Sequence, residues 1–231
     1  GANAAGKVDG LQLLAERKSS ANIATVLEQI NSTSPDVQTA AYTALKDVVS
    51  AENLNQLYAL LESASSENVP YVQQAIASAL QSYSNEKQYD VIMARMGQVS
   101  NDKQYLYYPV LSKTGDEKAL SFIVDRFNKE SGMAKDAAFQ ALSDWKDIDA
   151  AAELLAICKN RADILYFDRA INRYIQLVAN PKLTGENRRL LLTDALEIAR
   201  TDDQKNSILS QLGNTGSYLA LLCAGQYLDS K

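Results

Sequence analysis

Six segments of this chain carry the same apolar spacing, and that recurrence limits the possible folds more than any single residue does. They are TAAYTALKDV (39–48), QQAIASALQS (73–82), QYLYYPVLSK (104–113), DAAFQALSDW (136–145), RAINRYIQLV (169–178) and NSILSQLGNT (206–215). Each holds an apolar anchor preceded, four and five positions earlier, by residues that are mostly small or apolar. Aligning Leu45, Leu80, Leu111, Leu142, Ile175 and Leu212 gives steps of 35, 31, 31, 33 and 37 residues. A mean step of about 33 lies in the range of helical repeats. A polar residue stands two positions before most anchors (Thr43, Ser78, Gln140, Arg173, Ser210), the rhythm of a helix with one buried stripe.

Between these segments runs a second helical pattern built from larger residues. It is seen in LNQLYALLES (54–63), YDVIMARMGQ (89–98), ALSFIVDRFN (119–128), AAELLAICKN (151–160) and RLLLTDALEIA (189–199). Helix starts are marked locally. Ser34-Pro35-Asp36 offers an N-cap, a proline in the first turn and an acid near the positive end of the helix dipole. Asn68 with Pro70, and Thr184-Gly185-Glu186, mark two more. Breaks such as KTGD and KESG are too short to hold strands, and no stretch alternates in the period-two manner of a sheet. Scarce Gly (10) and Pro (4) agree with helix, because both destabilise its interior. The predicted fold is all-α: a single α-solenoid domain over residues 1–231, with about six antiparallel helix pairs and a terminal helix near YLALLCAGQYL. Pro109 conflicts with this pattern and predicts a helix that is kinked or cut short.

Composition removes several chemistries. The chain has no histidine, which excludes Ser-His-Asp and Cys-His nucleophiles, imidazole bases and histidine-ligated zinc. Cys158 and Cys223 are 65 residues apart, so neither a CxxC redox motif nor a thiolate metal motif exists. Glycine-rich phosphate loops are absent, as is any EF-hand loop. A net charge of −5 argues against nucleic acid, whose binders cluster Lys and Arg. No apolar run is long enough for a membrane span. Asp147, Asp149, Asp202 and Asp203 stand at turn and cap positions, so no catalytic residues, metal or cofactor are assigned, and the chain by itself is not expected to be an enzyme.

A small-residue anchor helix following a bulkier one resembles a HEAT repeat, with SPDVQTAAYTALKDV similar to the second helix of that family. The stretch ALSDWKDIDAAAELLAICKNRADILYFDRAINRYIQLV carries a narrower likeness. Its Leu-x-x-Trp-x-Asp joint, Leu-Leu-x-x-Cys-Lys helix and Arg-Tyr-Ile-x-Leu-Val helix resemble a HEAT-like module of exported bacterial proteins. That module accompanies jelly-roll domains of the 3-keto-disaccharide hydrolase type. The resemblance implies an accessory, non-catalytic module in an extracytoplasmic setting, within a larger polypeptide. The function expected is a scaffold that presents a curved surface to a protein partner or a neighbouring domain of the same polypeptide; the alternatives are a carbohydrate-binding accessory module or the non-catalytic region of a sugar-acting hydrolase.

Trp145 is read as a packing plug at the turn into the next repeat rather than as a stacking platform for a ligand. Tyr71, Tyr105, Tyr107, Tyr108 and Tyr166 stand at or near the starts of second helices, the helices that line the concave side of a curved stack. Tyr71, Tyr105, Tyr108 and Tyr166 are the candidate binding aromatics; the competing reading is that some of them face the core. Arg169 and Arg173 share a helix face as a candidate anion site, or else form an ion-paired surface with Asp163 and Asp168. The cysteines fall in first helices two repeats apart, separated by roughly 16–20 Å if helices stack at their usual spacing. A disulfide needs Cα atoms within about 7 Å. Titration of the unreduced protein should therefore find two thiols that react only after denaturation, whereas an intramolecular disulfide would contradict the stacking order.

Overall fold

A computed structural model of the chain describes residues 3–180 and 182–228. Every regular element among these residues is a helix. The α-helices are α1 (Ala4–Glu16), α2 (Ile23–Gln29), α3 (Pro35–Val48), α4 (Leu54–Ser63), α5 (Val69–Leu80), α6 (Asn85–Met96) and α7 (Tyr108–Leu111). They continue as α8 (Glu117–Lys129), α9 (Gly132–Ser143), α10 (Ala151–Lys159), α11 (Phe167–Val178), α12 (Gly185–Ile198), α13 (Asp202–Gly213) and α14 (Tyr218–Leu228). The last coincides with the stretch YLALLCAGQYL. Short 3-10 turns lead into several of them.

The helices start where local chemistry lets them. Pro35 opens α3 directly after Ser34, although the Ser34 side chain makes no capping hydrogen bond. Thr184 caps α12 by accepting from the Asn187 N–H at 3.2 Å. Thr201 and Gln204 form a reciprocal capping box at α13. Gly115, at φ +66°, takes the left-handed conformation that a residue with a Cβ rarely adopts, and so reverses the chain between α7 and α8.

The chain divides into two compact units, Gly1–Ala141 and Leu142–Lys231. In the first, α2 packs on α3, α4 on α5 and α6 on α7. Alternate helices also meet: α1 lies on α3, α3 on α5 and α5 on α7. Phe127 of α8 and Phe139 of α9 place their rings 6.1 Å apart. In the second unit α10 packs on α11 and α12 on α13, while α11 also meets α13, and α12 meets both α10 and α14. The start of α12 is closed against the turn before α14, where a Cβ on Gly185 would overlap the Thr215 carbonyl oxygen. On α14, Tyr218, Leu219, Leu221 and Leu222 are exposed.

All six anchors lie in the core, none more than 4% exposed. The polar positions before them face outward to different degrees: Thr43, Gln140 and Ser210 are exposed, Ser78 and Arg173 half-buried. At the third pair, residues 101–107 form a 3-10 helix and α7 is only four residues long. Pro109 is its second residue, where the missing N–H is one that the first helical turn leaves unbonded anyway. The helix is thus cut short by starting late, not kinked in the middle.

Leu80→Ala and Leu142→Ala should each cost about 2–5 kcal/mol, the usual range for emptying a packed leucine site. Thr43→Ala and Gln140→Ala should stay within about 0.5 kcal/mol of wild type. Urea unfolding of the four variants checks this, and equal losses in both classes would contradict the register.

Candidate functional site

The aromatic residues singled out at the starts of second helices separate into different environments. In the first unit Tyr71 is half-buried in the first turn of α5, its ring 6.2 Å from that of Tyr42. Tyr105 is half-buried in the 3-10 segment before α7. Tyr108, by contrast, is 1% exposed, so its ring offers no surface to a ligand. Its hydroxyl donates to Glu130 Oε1 at 2.6 Å, and its ring meets Phe122 edge-on at 6.0 Å. Burial, and then the Glu130 hydrogen bond, push its ionisation well above the ordinary tyrosine value.

In the second unit Tyr166 is half-buried at the N-cap of α11, and Arg169 is exposed. Arg173 is committed to the fold. Its Nη2 donates to the Trp145 carbonyl at 2.6 Å and its Nη1 to Gln176 Oε1 at 3.1 Å. Trp145 itself is 1% exposed, which leaves no face open for stacking. Asp168 accepts from Gln204 Nε2 at 2.8 Å, and the same Gln204 side chain accepts from the Arg200 and Thr201 N–H groups. Asp163 accepts from Asn160 Nδ2 at 2.8 Å. These acids are therefore tied to amides. Cys158 is buried and free, and burial pushes its thiol up to about 12, far from the reactive range. The Cys223 side chain lies outside the described residues.

The densest polar constellation in the first unit includes residues absent from the sequence-based selection. Glu62, in the last turn of α4, receives the Tyr107 hydroxyl at 2.7 Å and Arg95 Nη2 at 2.6 Å on the same oxygen. Arg95 Nε also donates to the Tyr107 hydroxyl at 3.3 Å, and Lys103 Nζ to the Glu62 carbonyl at 3.0 Å. The guanidinium carbon of Arg95 lies 5.3 Å from the Tyr58 ring centroid. Burial opposes the Glu62 charge, but hydrogen bonds from Tyr107 and Arg95 outweigh it and hold the carboxyl below its ordinary value. Burial pushes the Tyr58 hydroxyl up to about 12. A carboxylate satisfied in this way holds its charge in place instead of moving a proton. The separation of 33 residues between Glu62 and Arg95 is one repeat, and this was the signal available in the sequence.

Two grooves open on the first unit. One, of about 330 Å³, lies between α4 and α6 and is lined by Glu52, Asn55, Tyr58, Arg95 and Gln98 among others. The other, of about 350 Å³, lies between α1 and α3, with Asp36, Thr39, Thr43 and Asp47 along a floor that includes Ala40 and Ala44. Among the described residues no group of three or more acids or cysteines is placed to hold a metal ion, and no helix is long and apolar enough to cross a membrane. The chain matches no protein-family model, no curated protein and no solved structure.

Folding lowers the affinity of Glu62 for its proton, so its contribution is fully present above the unfolded value of about 4.3 and is lost as pH falls through the folded one. Glu62→Gln should cost about 1–3 kcal/mol at neutral pH, as removal of a hydrogen-bonded charge does. The gap to wild type should narrow as pH falls from about 4.3 through the lower folded value, below which both side chains are neutral. Denaturation curves at several pH values measure it; a gap unchanged into acid would show that the charge of Glu62 contributes nothing.

Proposed function

We propose that this chain is a HEAT-like α-solenoid, six antiparallel pairs and a terminal helix, that works as a non-catalytic scaffold for a protein partner. The partner would meet the second helices, through Tyr71 and Tyr105 in the first unit or Tyr166 and Arg169 in the second. The observation that supports this reading is the sequence separation of the polar contacts between successive pairs. Glu62 meets Arg95 and Gln73 meets the Leu106 carbonyl at 33 residues, and Glu86 meets Lys118 at 32. In the second unit Asp168 meets Gln204 at 36, and Glu186 meets Ser217 at 31. All fall within the 31–37 range of the anchor steps. Equivalent positions of successive pairs therefore face one another within each unit, as they do in a stack whose members touch only their neighbours. Such a stack offers an extended surface for a polypeptide. An extracytoplasmic setting beside a sugar-acting domain belongs to the same reading and rests on the resemblance of residues 141–178.

Solution scattering tests the architecture: a radius of gyration well above roughly 17 Å, the value for a compact globule of this length, is expected of a stack. For the partner, wild type should retain a discrete protein from a cell-envelope extract. A Tyr71→Ala/Tyr105→Ala variant with unchanged helicity should lose it. Selective binding on a glycan array with no protein retained would replace this reading with the carbohydrate one.

A further inference from the structure

The third pair of helices is held differently from its neighbours. Its second helix, α7, has four residues, and the seven residues before it form a 3-10 helix, whose hydrogen bonds have poorer geometry than those of an α-helix. A helical segment this short has no stability of its own and depends on what it packs against. The apolar part of that support comes from Tyr107, Tyr108, Val110 and Leu111, all buried. Asn101, Asp102 and Lys103 are exposed, and Gln104, Tyr105 and Leu106 half-buried.

The polar part is unusual. Two adjacent tyrosines donate to carboxylates on different neighbouring helices. Tyr107 bonds Glu62 at 2.7 Å, in the last turn of α4, whereas Tyr108 bonds Glu130 at 2.6 Å, the residue that caps the C-terminus of α8. Each carboxylate is also paired with an arginine, Arg95 for Glu62 and Arg126 for Glu130 at 3.5 Å. Lys103 adds a bond to the Glu62 carbonyl, and Gln73 one to the Leu106 carbonyl at 2.7 Å. Every one of these ties reaches the segment 101–111 or the carboxylate it grips.

The geometry points to residues 101–111 as a strap that opens and closes as one piece, held shut by two clasps, Tyr107–Glu62–Arg95 and Tyr108–Glu130–Arg126. Opening would release α7 from both neighbouring pairs at once and carry Tyr105 away from its place on the surface. It would leave α3 and α5 packed, since their mutual contacts do not pass through the strap. The strap is thus a local unfolding unit inside a larger stable one, the kind of element from which conformational change is drawn. This inference stands on the first unit alone and does not depend on the identity of any partner.

Amide exchange of the full chain, followed by mass spectrometry at neutral pH, tests it. Tyr107→Phe and Tyr108→Phe keep the rings and remove only the donors. Each should speed exchange in peptides covering 101–111 by roughly ten- to hundredfold, the effect of losing a hydrogen bond to a charged group. Peptides from α3 that exchange by global unfolding should quicken by no more than this, because the lost bond raises the native state against every opened one. No acceleration within 101–111 would overturn the clasps. The wild type provides a second readout that needs no variant. In low urea, exchange within 101–111 should respond less than exchange in α3, because opening the strap exposes only part of the surface that global unfolding does. Equal urea dependence in the two segments would mean that they open together, and the proposal would fail.

Discussion

Each unit of this structure depends on the sharing of apolar surface between neighbouring helices. A pair such as α4 and α5 has one apolar stripe per helix, and closing the two stripes on each other leaves the flanks of both exposed. The neighbouring helices cover those flanks: α3 on one side of α5 and α7 on the other. The anchors Leu45, Leu80, Leu111, Leu142, Ile175 and Leu212 are buried for this reason. Small residues one turn before some of them, such as Ala41 and Ala138, let the backbones come close, and both are fully buried. In the stack proposed here, stability would be a sum of neighbour terms.

The third pair shows what happens when the rule is strained. Pro109 cannot stand in the middle of a second helix, so the helix begins at Tyr108 and the preceding seven residues tighten into 3-10 geometry. Tyr107, the last residue of the 3-10 segment, and Tyr108, the first of the α-helix, are both buried. Burying two hydroxyls demands two acceptors. Glu62 and Glu130 supply them, and the two arginines offset the charges those acceptors bring with them. The two clasps thus follow from the burial of two adjacent tyrosines at the start of α7.

Much of the fold was legible because its causes are local or periodic. The anchors, the Pro35 and Thr184 helix starts and the truncation at Pro109 all follow from spacing or from backbone chemistry at a few adjacent residues. The candidate site was less legible. Tyr105 and Tyr108 look alike in the segment QYLYYPVL, yet one is half-buried and the other enclosed. Three residues apart on a 3-10 turn, the two stand nearly on one face, so the difference comes from what packs against each ring, and no helical periodicity encodes it. Arg173 follows the outward rhythm of Thr43 and Gln140, but its length lets it turn back to the Trp145 carbonyl. Glu62 and Arg95 were hidden differently: each is an ordinary surface residue within its own helix, and only the alignment of one repeat on the next brings them together.

That alignment points to a division of labour between the apolar and polar contacts. Leucine and alanine stripes attract one another in many registers, because dispersion and desolvation are not directional. A stack made only of such stripes could slide by a turn at modest cost. Bonds such as Glu62–Arg95, Gln73 to the Leu106 carbonyl and Gln204–Asp168 permit one register each. The net contribution of Glu62–Arg95 to stability is small, because taking a half-buried ion pair out of water offsets most of its attraction. Removing one partner is costly all the same, since it leaves the other charge without compensation. A large loss on breaking Glu62–Arg95 would therefore measure how firmly the register is enforced, not how much the pair stabilises the fold. In this chain the apolar stripes hold the pairs together, and the polar bonds one repeat apart determine where along each other they stop.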